Sequence, residues 1–174
     1  MQQTFVKALL VIAVIVFIGV MRSSAQQGNN GESEVQRGFD IAPVNLDLAG
    51  KNRSLVGLGS YYVNGPSDCV GCHTGDTGYL GGGVNFGPVF SSNLTPDAAG
   101  NPAGLTLSEF KEVMRFGTDF KGIDPDIAGD PGILIVMPWQ AYRHGTERYL
   151  EAVYEYLRSI PCVEGGPGYT SPRC

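Results

Sequence analysis

Three observations predict a mostly α, loop-rich fold for this chain. Apolar residues recur at helical spacing in three stretches, 52–63, 105–116 and 147–160, each with a capping residue near its start. Between them lie 25 glycines and 11 prolines, and charged residues make up only 17% of the 174, a composition that suits loops better than long surface helices. Between the first two stretches stands Cys69-Val70-Gly71-Cys72-His73, the one cluster of chemically special side chains. The length allows one modest domain.

The N-terminus sets the compartment. Lys7 precedes an apolar run over 8–20, followed by Arg22-Ser23-Ser24-Ala25. Ser23 and Ala25 are small residues where a signal peptidase reads, so residues 1–25 are expected to be a signal peptide cleaved after Ala25. The run is short of the roughly 20 residues a membrane span needs. Membrane attachment is therefore expected only if this segment is retained. Its removal takes away Lys7 and Arg22 but no acid, leaving ten basic against seventeen acidic residues, a net charge of −7. Residues 26–34 read as a flexible leader and 35–174 as the folded domain with a cysteine-ended tail.

A short helix is expected near 32–39, then an extended stretch interrupted by Pro43. In 52–63, Asn52 or Ser54 is the cap, and Leu55, Val56, Leu58, Tyr61 and Tyr62 form the apolar face. Gly57 and Gly59 cost about 1 kcal/mol each inside a helix relative to alanine. Either the helix frays towards Asn64-Gly65-Pro66, or the small residues permit close approach of another helix. Residues 75–87 are glycine-rich but read as loop, since no Gly-Lys-Ser/Thr ending follows. Phe86, Pro88, Val89 and Phe90 are expected to wall a bound group.

In 105–116, Thr106 and Glu109 have capping-box spacing, Leu107, Phe110, Val113 and Met114 make the stripe, and Gly117 is placed to stop the helix. Asp124, Asp126 and Asp130 read as a solvated acidic loop, because Ile135 stands where a calcium loop needs its glutamate. The apolar run 133–139 has the composition of a buried strand, though Pro138 counts against it. Thr146 caps the last helix, whose stripe is Leu150, Val153, Tyr154 and Leu157 and which Pro161 closes.

The C-x-x-C-H motif reads as a covalent attachment site for c-type haem. Two thiols separated by two residues on a turn can add to two neighbouring vinyl groups of one porphyrin. The adjacent His73 then falls beneath the iron as proximal ligand. Candidates for the second axial ligand are Met114, Met137 and His144. Met114 lies on an apolar stripe, where methionine is usually core filler, and His144 stands just before the last helix.

Further segments extend the reading. Ser91-Ser92-Asn93-Leu94-Thr95-Pro96-Asp97, Met137-Pro138-Trp139-x-x-Tyr142 and Tyr154-x-Tyr156-Leu157-Arg158-Ser159-Ile160-Pro161, taken with the attachment motif, resemble the class I-like monohaem c-type cytochromes. The likeness is greatest to the cytochrome c subunits and domains of bacterial periplasmic dehydrogenases, and it runs from about residue 35 to 161. The resemblance implies a small cytochrome c-type helical fold around one covalently attached haem c, with first and last helices packed at a small-residue contact. It implies His73 and Met137 as iron ligands and places Pro138, Trp139 and Tyr142 at the cofactor. Asn93 becomes a candidate propionate contact, against the alternative that Asn93 to Asp97 is turn chemistry leading into a helix. The glycine-rich loop and the cysteine-ended tail depart from the family picture.

The expected function is periplasmic or secreted electron transfer through a single His/Met-ligated haem, with no substrate chemistry of its own. The alternative is the haem-bearing, electron-accepting subunit of a periplasmic dehydrogenase complex. An oxidising compartment would permit a Cys162–Cys174 disulfide. The acidic charge predicts redox partner proteins with a basic docking patch and disfavours nucleic acid. A redox dithiol at Cys69 and Cys72 would want a thioredoxin-like βαβ context, and a zinc site a second ligand pair; neither pattern is present.

Overall fold

The computed structural model describes residues 33–87, 89–120, 132–165 and 174. By its contacts the chain divides after Ser33, and Glu34–Cys174 is one compact unit. The expected signal segment, most of the leader, Pro88 and the acidic stretch with Asp124, Asp126 and Asp130 lie outside the described residues.

The described residues are helix-dominated. The elements are α1 (Glu34–Ile41), α2 (Arg53–Asn64), α3 (Cys69–His73), α4 (Leu107–Phe116), β1 (Thr118–Asp119), β2 (Gly132–Ile133), α5 (Trp139–Tyr142) and α6 (Glu147–Leu157). No helix among them is long and apolar enough to cross a membrane.

Helix α2 is the spine. Asn52 caps it, its side chain accepting from the Ser54 and Leu55 amides. The two costly glycines open opposite faces. A Cβ on Gly57 would stand 2.6 Å from the Val35 carbonyl oxygen and from the Phe39 ring, so this face takes α1. One on Gly59 would stand 1.9 Å from the Ala152 carbonyl oxygen, so the other face takes α6. The close approach weighed for both glycines is therefore made to two different helices. Ser60 Oγ secures the first contact by donating to the Gly38 carbonyl at 2.7 Å. Glu155 of α6 secures the second by accepting from the Asn52 amide at 2.9 Å.

The core follows from this sandwich. Val56 and Val63 of α2, Phe110 and Met114 of α4, Leu150, Val153, Tyr154, Tyr156 and Leu157 of α6, and Leu80 and Ile160 from loops form one buried cluster. Met114, 3% exposed, is core filler, as its place on the stripe predicted. Val44, Leu46 and Leu48 of the extended stretch pack against the cluster, and Asp47 N–H donates to the Ser159 carbonyl at 2.8 Å.

Helix α4 begins with the predicted capping box. The Thr106 amide and hydroxyl donate to Glu109 Oε2 at 2.8 and 2.7 Å, and the Glu109 amide returns to Thr106 Oγ1. These donors hold the Glu109 carboxyl below its ordinary value of 4.5. A group with a lowered folded pKa stabilises fully above its unfolded pKa, and the contribution is lost as pH falls through the folded one. Thr106→Ala should cost about 1 kcal/mol at neutral pH. The difference in melting temperature from wild type should shrink in acid, as pH falls below about 4.5 and on through the lowered pKa that Glu109 has in the folded protein. A gap that stays constant with pH would refute the account.

One helix is shorter than expected, the doubt that Pro138 cast on a strand is decided, and two short helices are added. The last helix ends at Leu157 rather than 160, because Ser159 turns back, its amide and hydroxyl both donating to the Tyr156 carbonyl. The apolar run 133–139 is not a buried strand: Ile133 and Ile135 are 60% and 65% exposed, and only Gly132–Ile133 pairs, antiparallel with Thr118–Asp119. Two residues per strand give no periodicity for the sequence to show. Cys69–His73 and Trp139–Tyr142 are short helices, too brief for a stripe.

Candidate haem site

Helix α3 presents the motif on little more than one turn. Asp68 enters it in the left-handed region at φ 45°, where aspartate is better tolerated than most residues, and so turns the chain from α2 into α3. Ser67, just ahead, is held from two sides. Tyr142 of α5 donates its hydroxyl to the Ser67 carbonyl at 2.9 Å, and Tyr149 of α6 bonds Ser67 Oγ at 2.9 Å. Tyr149 in turn meets Tyr62 of α2 edge-on, ring centroids 4.9 Å apart. The C-terminal part of the chain thus fixes where the motif begins.

Both thiols are unpaired, Cys69 partly buried and Cys72 exposed. Burial, assisted by the Asp68 charge, pushes the Cys69 thiol up to about 12.

His73 is the most constrained residue of the motif. Its Nδ1 lies 2.7 Å from the Ser92 carbonyl oxygen. A carbonyl can only accept, so Nδ1 carries the proton and Nε2 holds the lone pair. Its own carbonyl accepts from the Gly82 amide at 2.8 Å. The glycine-rich stretch is therefore loop, as expected, but an ordered one. Gly83 N–H donates to the Ser91 carbonyl and Ser91 N–H to the Val84 carbonyl, laying residues 82–84 beside 91–93. Tyr79, farther back, donates to Asn64 Oδ1 at 2.5 Å and lies 2.7 Å from the Tyr156 hydroxyl, tying the loop to α2 and α6.

The other expected residues fall as follows. Asn93 is fully buried; its Oδ1 accepts from the Thr95 amide and hydroxyl, and its Nδ2 donates to the Val163 carbonyl at 2.9 Å. The turn chemistry weighed for this segment is thus present. Phe86 is at the loop tip, 36% exposed, its amide donating to the Val89 carbonyl. Met137 is half-buried against the core, and Pro138 is exposed. Trp139 lies on Gly117, where a Cβ would stand 2.4 Å from the indole nitrogen, and Arg143 stacks over its ring at 5.5 Å. Gly117, at φ +73°, both stops α4 and makes room for this tryptophan. With the Leu134 amide donating to the Gly117 carbonyl, the methionine loop is seated on the end of α4 from both sides. His144 is exposed before α6. Cys162 and Cys174 are joined, Sγ atoms 2.02 Å apart.

Sequence reasoning missed Ser67, Gly82, Ser92 and Val163. Ser92 and Val163 act through backbone atoms, which leave no trace in residue type. A triple glycine flanked by the motif was the available signal for Gly82. The donor set present fits a c-type haem: two thiols three residues apart on a helical turn, beside an imidazole whose protonated nitrogen is committed to the backbone.

The chain is cytochrome c-like, similar to the cytochrome c subunits of bacterial dehydrogenases. It is 27% identical over 121 residues to the fructose dehydrogenase cytochrome subunit of Gluconobacter japonicus, a match covering 66% of this chain and 23% of the relative. It is 33% identical over 110 residues to the cytochrome c subunit of the quinone alcohol dehydrogenase of Gluconacetobacter polyoxogenes, covering 60% and 21%. A match at 26% over 111 residues, 61% of this chain and 23% of the relative, is to the gluconate 2-dehydrogenase cytochrome c subunit of Pantoea cypripedii. The matched region is thus about a fifth of the length of the cytochrome subunits it resembles. No family model matches the chain. No solved structure matches it significantly.

Proposed function

We propose that this chain is an exported protein that binds one haem c covalently and accepts electrons as the haem-bearing partner of a periplasmic dehydrogenase. The observation that carries the reading is the His73 imidazole, held through Nδ1 by the Ser92 carbonyl on a C-x-x-C-H turn, so that Nε2 is the ligating nitrogen. Similarity to dehydrogenase cytochrome subunits favours the partner-subunit reading over a freely diffusing carrier, which the motifs alone would put first.

When bound, the haem supplies a one-electron ferric–ferrous couple. The residues do the rest. Cys69 and Cys72 would hold the macrocycle through thioether bonds, and His73 and Met137 would ligate the iron. Met137, Leu94 and Val70 are partly buried and pack against the apolar core, which would limit water beside them. Ligation by a methionine and a histidine together would raise the potential, which suits an acceptor of electrons. The acidic mature chain would meet a basic patch on its partner, with association weakening as salt rises. Cleavage after Ala25 and residence in the periplasm belong to the same proposal.

The test is chemical. The protein, expressed in a host that attaches c-type haem, is denatured and extracted with acidified organic solvent. Haem colour should remain with the polypeptide, one haem per chain; colour lost to the solvent would end the proposal. Co-purification of a larger dehydrogenase on a tag at this chain would decide for the subunit, and its failure for the free carrier.

A further inference from the structure

We propose that the C-terminal tail is a clamp on the proximal histidine, with Asn93 its positioning residue. The inference rests on the haem reading above. The carbonyl that receives the His73 proton belongs to the peptide unit joining Ser92 to Asn93, so whatever fixes that peptide plane fixes the ring.

The plane is held on two sides. On one lies Gly82, at φ +73°, where a Cβ would stand 2.6 Å from Ser92 C and Asn93 N, a distance only glycine tolerates. On the other side the tail enters. Both backbone groups of Val163 are bonded to side chains of this segment: its amide donates to Thr95 Oγ1 at 3.1 Å and its carbonyl accepts from Asn93 Nδ2 at 2.9 Å. Asn93 Oδ1 closes the ring of bonds by accepting from the Thr95 amide and hydroxyl at 2.8 and 2.6 Å. Asn93 and Thr95 are both 0% exposed, so these bonds are made without competition from water. Val163 also reaches the loop, its Cγ1 standing 3.1 Å from where a Gly81 Cβ would be. The Cys162–Cys174 disulfide is anchored one residue before Val163 and restrains the tail at that point.

The consequence is electronic. An Nδ1–H held firmly on a carbonyl makes the imidazole a more basic ligand, and a more basic ligand favours ferric over ferrous iron. Loosening the clamp should therefore favour the reduced state. Loss of such an outer partner typically matters by tenfold or more. A tenfold shift of the ferric–ferrous equilibrium is about 59 mV for a one-electron couple.

The experiment uses the full, haem-loaded chain with Asn93→Ala and, as a variant that leaves the Asn93 side chain in place, Val163→Pro, which removes the tail N–H together with the valine side chain. Two quantities are read: the reduction potential, and the solvent-exchange rate of the His73 ring N–H by NMR in the reduced protein. The clamp predicts, for each folded variant, a potential raised by about the tenfold equivalent and ring N–H exchange about tenfold faster. A lower melting temperature with potential and exchange unchanged would make the tail merely stabilising and overturn the clamp. Should Asn93→Ala fail to fold, Val163→Pro decides alone. Absence of covalent haem from the unaltered chain would sink the functional reading and the clamp together, whereas haem present with both quantities unmoved sinks only the clamp.

Discussion

Gly59→Val should lower the stability of the folded unit by about 3 kcal/mol or more, a large share of the 5–15 kcal/mol that holds a typical domain. A Cβ at this position would stand 1.9 Å from the Ala152 carbonyl oxygen, 2.6 Å from its carbon and 2.7 Å from Tyr156 Cβ. Two of these obstacles are α6 backbone, which no rotamer change can move. The helices must part, and the side chains that close around the crossing, Val56, Val63, Val153 and Tyr156, each 2% exposed or less, lose their fit. In thermal unfolding the melting temperature should fall by roughly 10 °C. Gly50→Ala is the control: its φ of +67° is strained for alanine but nothing lies within 4 Å, so about 1 kcal/mol is expected. A Gly59→Val melt no lower than the control's would show that α2 and α6 tolerate separation.

Met137→Ala should remove the weak near-infrared sulfur-to-iron band of the oxidised protein, lower the reduction potential and let carbon monoxide bind the reduced protein without denaturation. The reason for choosing Met137 is how its loop is held. Upstream, Leu134 is bonded to Gly117; downstream, Trp139 lies on the same glycine and Tyr142 reaches the Ser67 carbonyl, two residues before Cys69. The loop is thus tied to the attachment motif itself. Met114 is sealed in the core at 3% exposure, and His144 is exposed at the start of α6. Met114→Leu and His144→Ala should leave the band in place. Its survival in Met137→Ala would overturn the ligand assignment and move it to one of those two.

Much of this was legible in the chain. The Asn52, Thr106 and Thr146 caps stand where local hydrogen-bonding chemistry puts them, because a cap depends on residues two or three positions away. Amphipathic stripes located α2, α4 and α6, since each buries one face in a common core. Less legible was anything that depends on a partner far along the chain. Gly57 and Gly59 look alike in sequence, two residues apart, yet one admits α1 and the other α6. The run 133–139 has strand composition with Pro138 against it, and its paired strand is two residues long while the chain bends over 135–137, so composition alone could not decide it. Asn93 was weighed between a propionate contact and turn chemistry, and it stands fully buried, bonded to Thr95 and Val163. Nothing in residues 91–97 announces that a tail seventy positions on will complete them.

The sequence by itself determined the kind of chemistry: two thiols and a histidine at C-x-x-C-H spacing, because covalent attachment and ligation are set by residue type and by separations of a few positions. It also determined the helical class. Only the tertiary structure decided how the histidine is oriented. That orientation is delivered by a backbone carbonyl of Ser92, steadied by a glycine that must lack a side chain and by backbone atoms of Val163. Main-chain groups are the same in every residue, so their placement is a property of the fold.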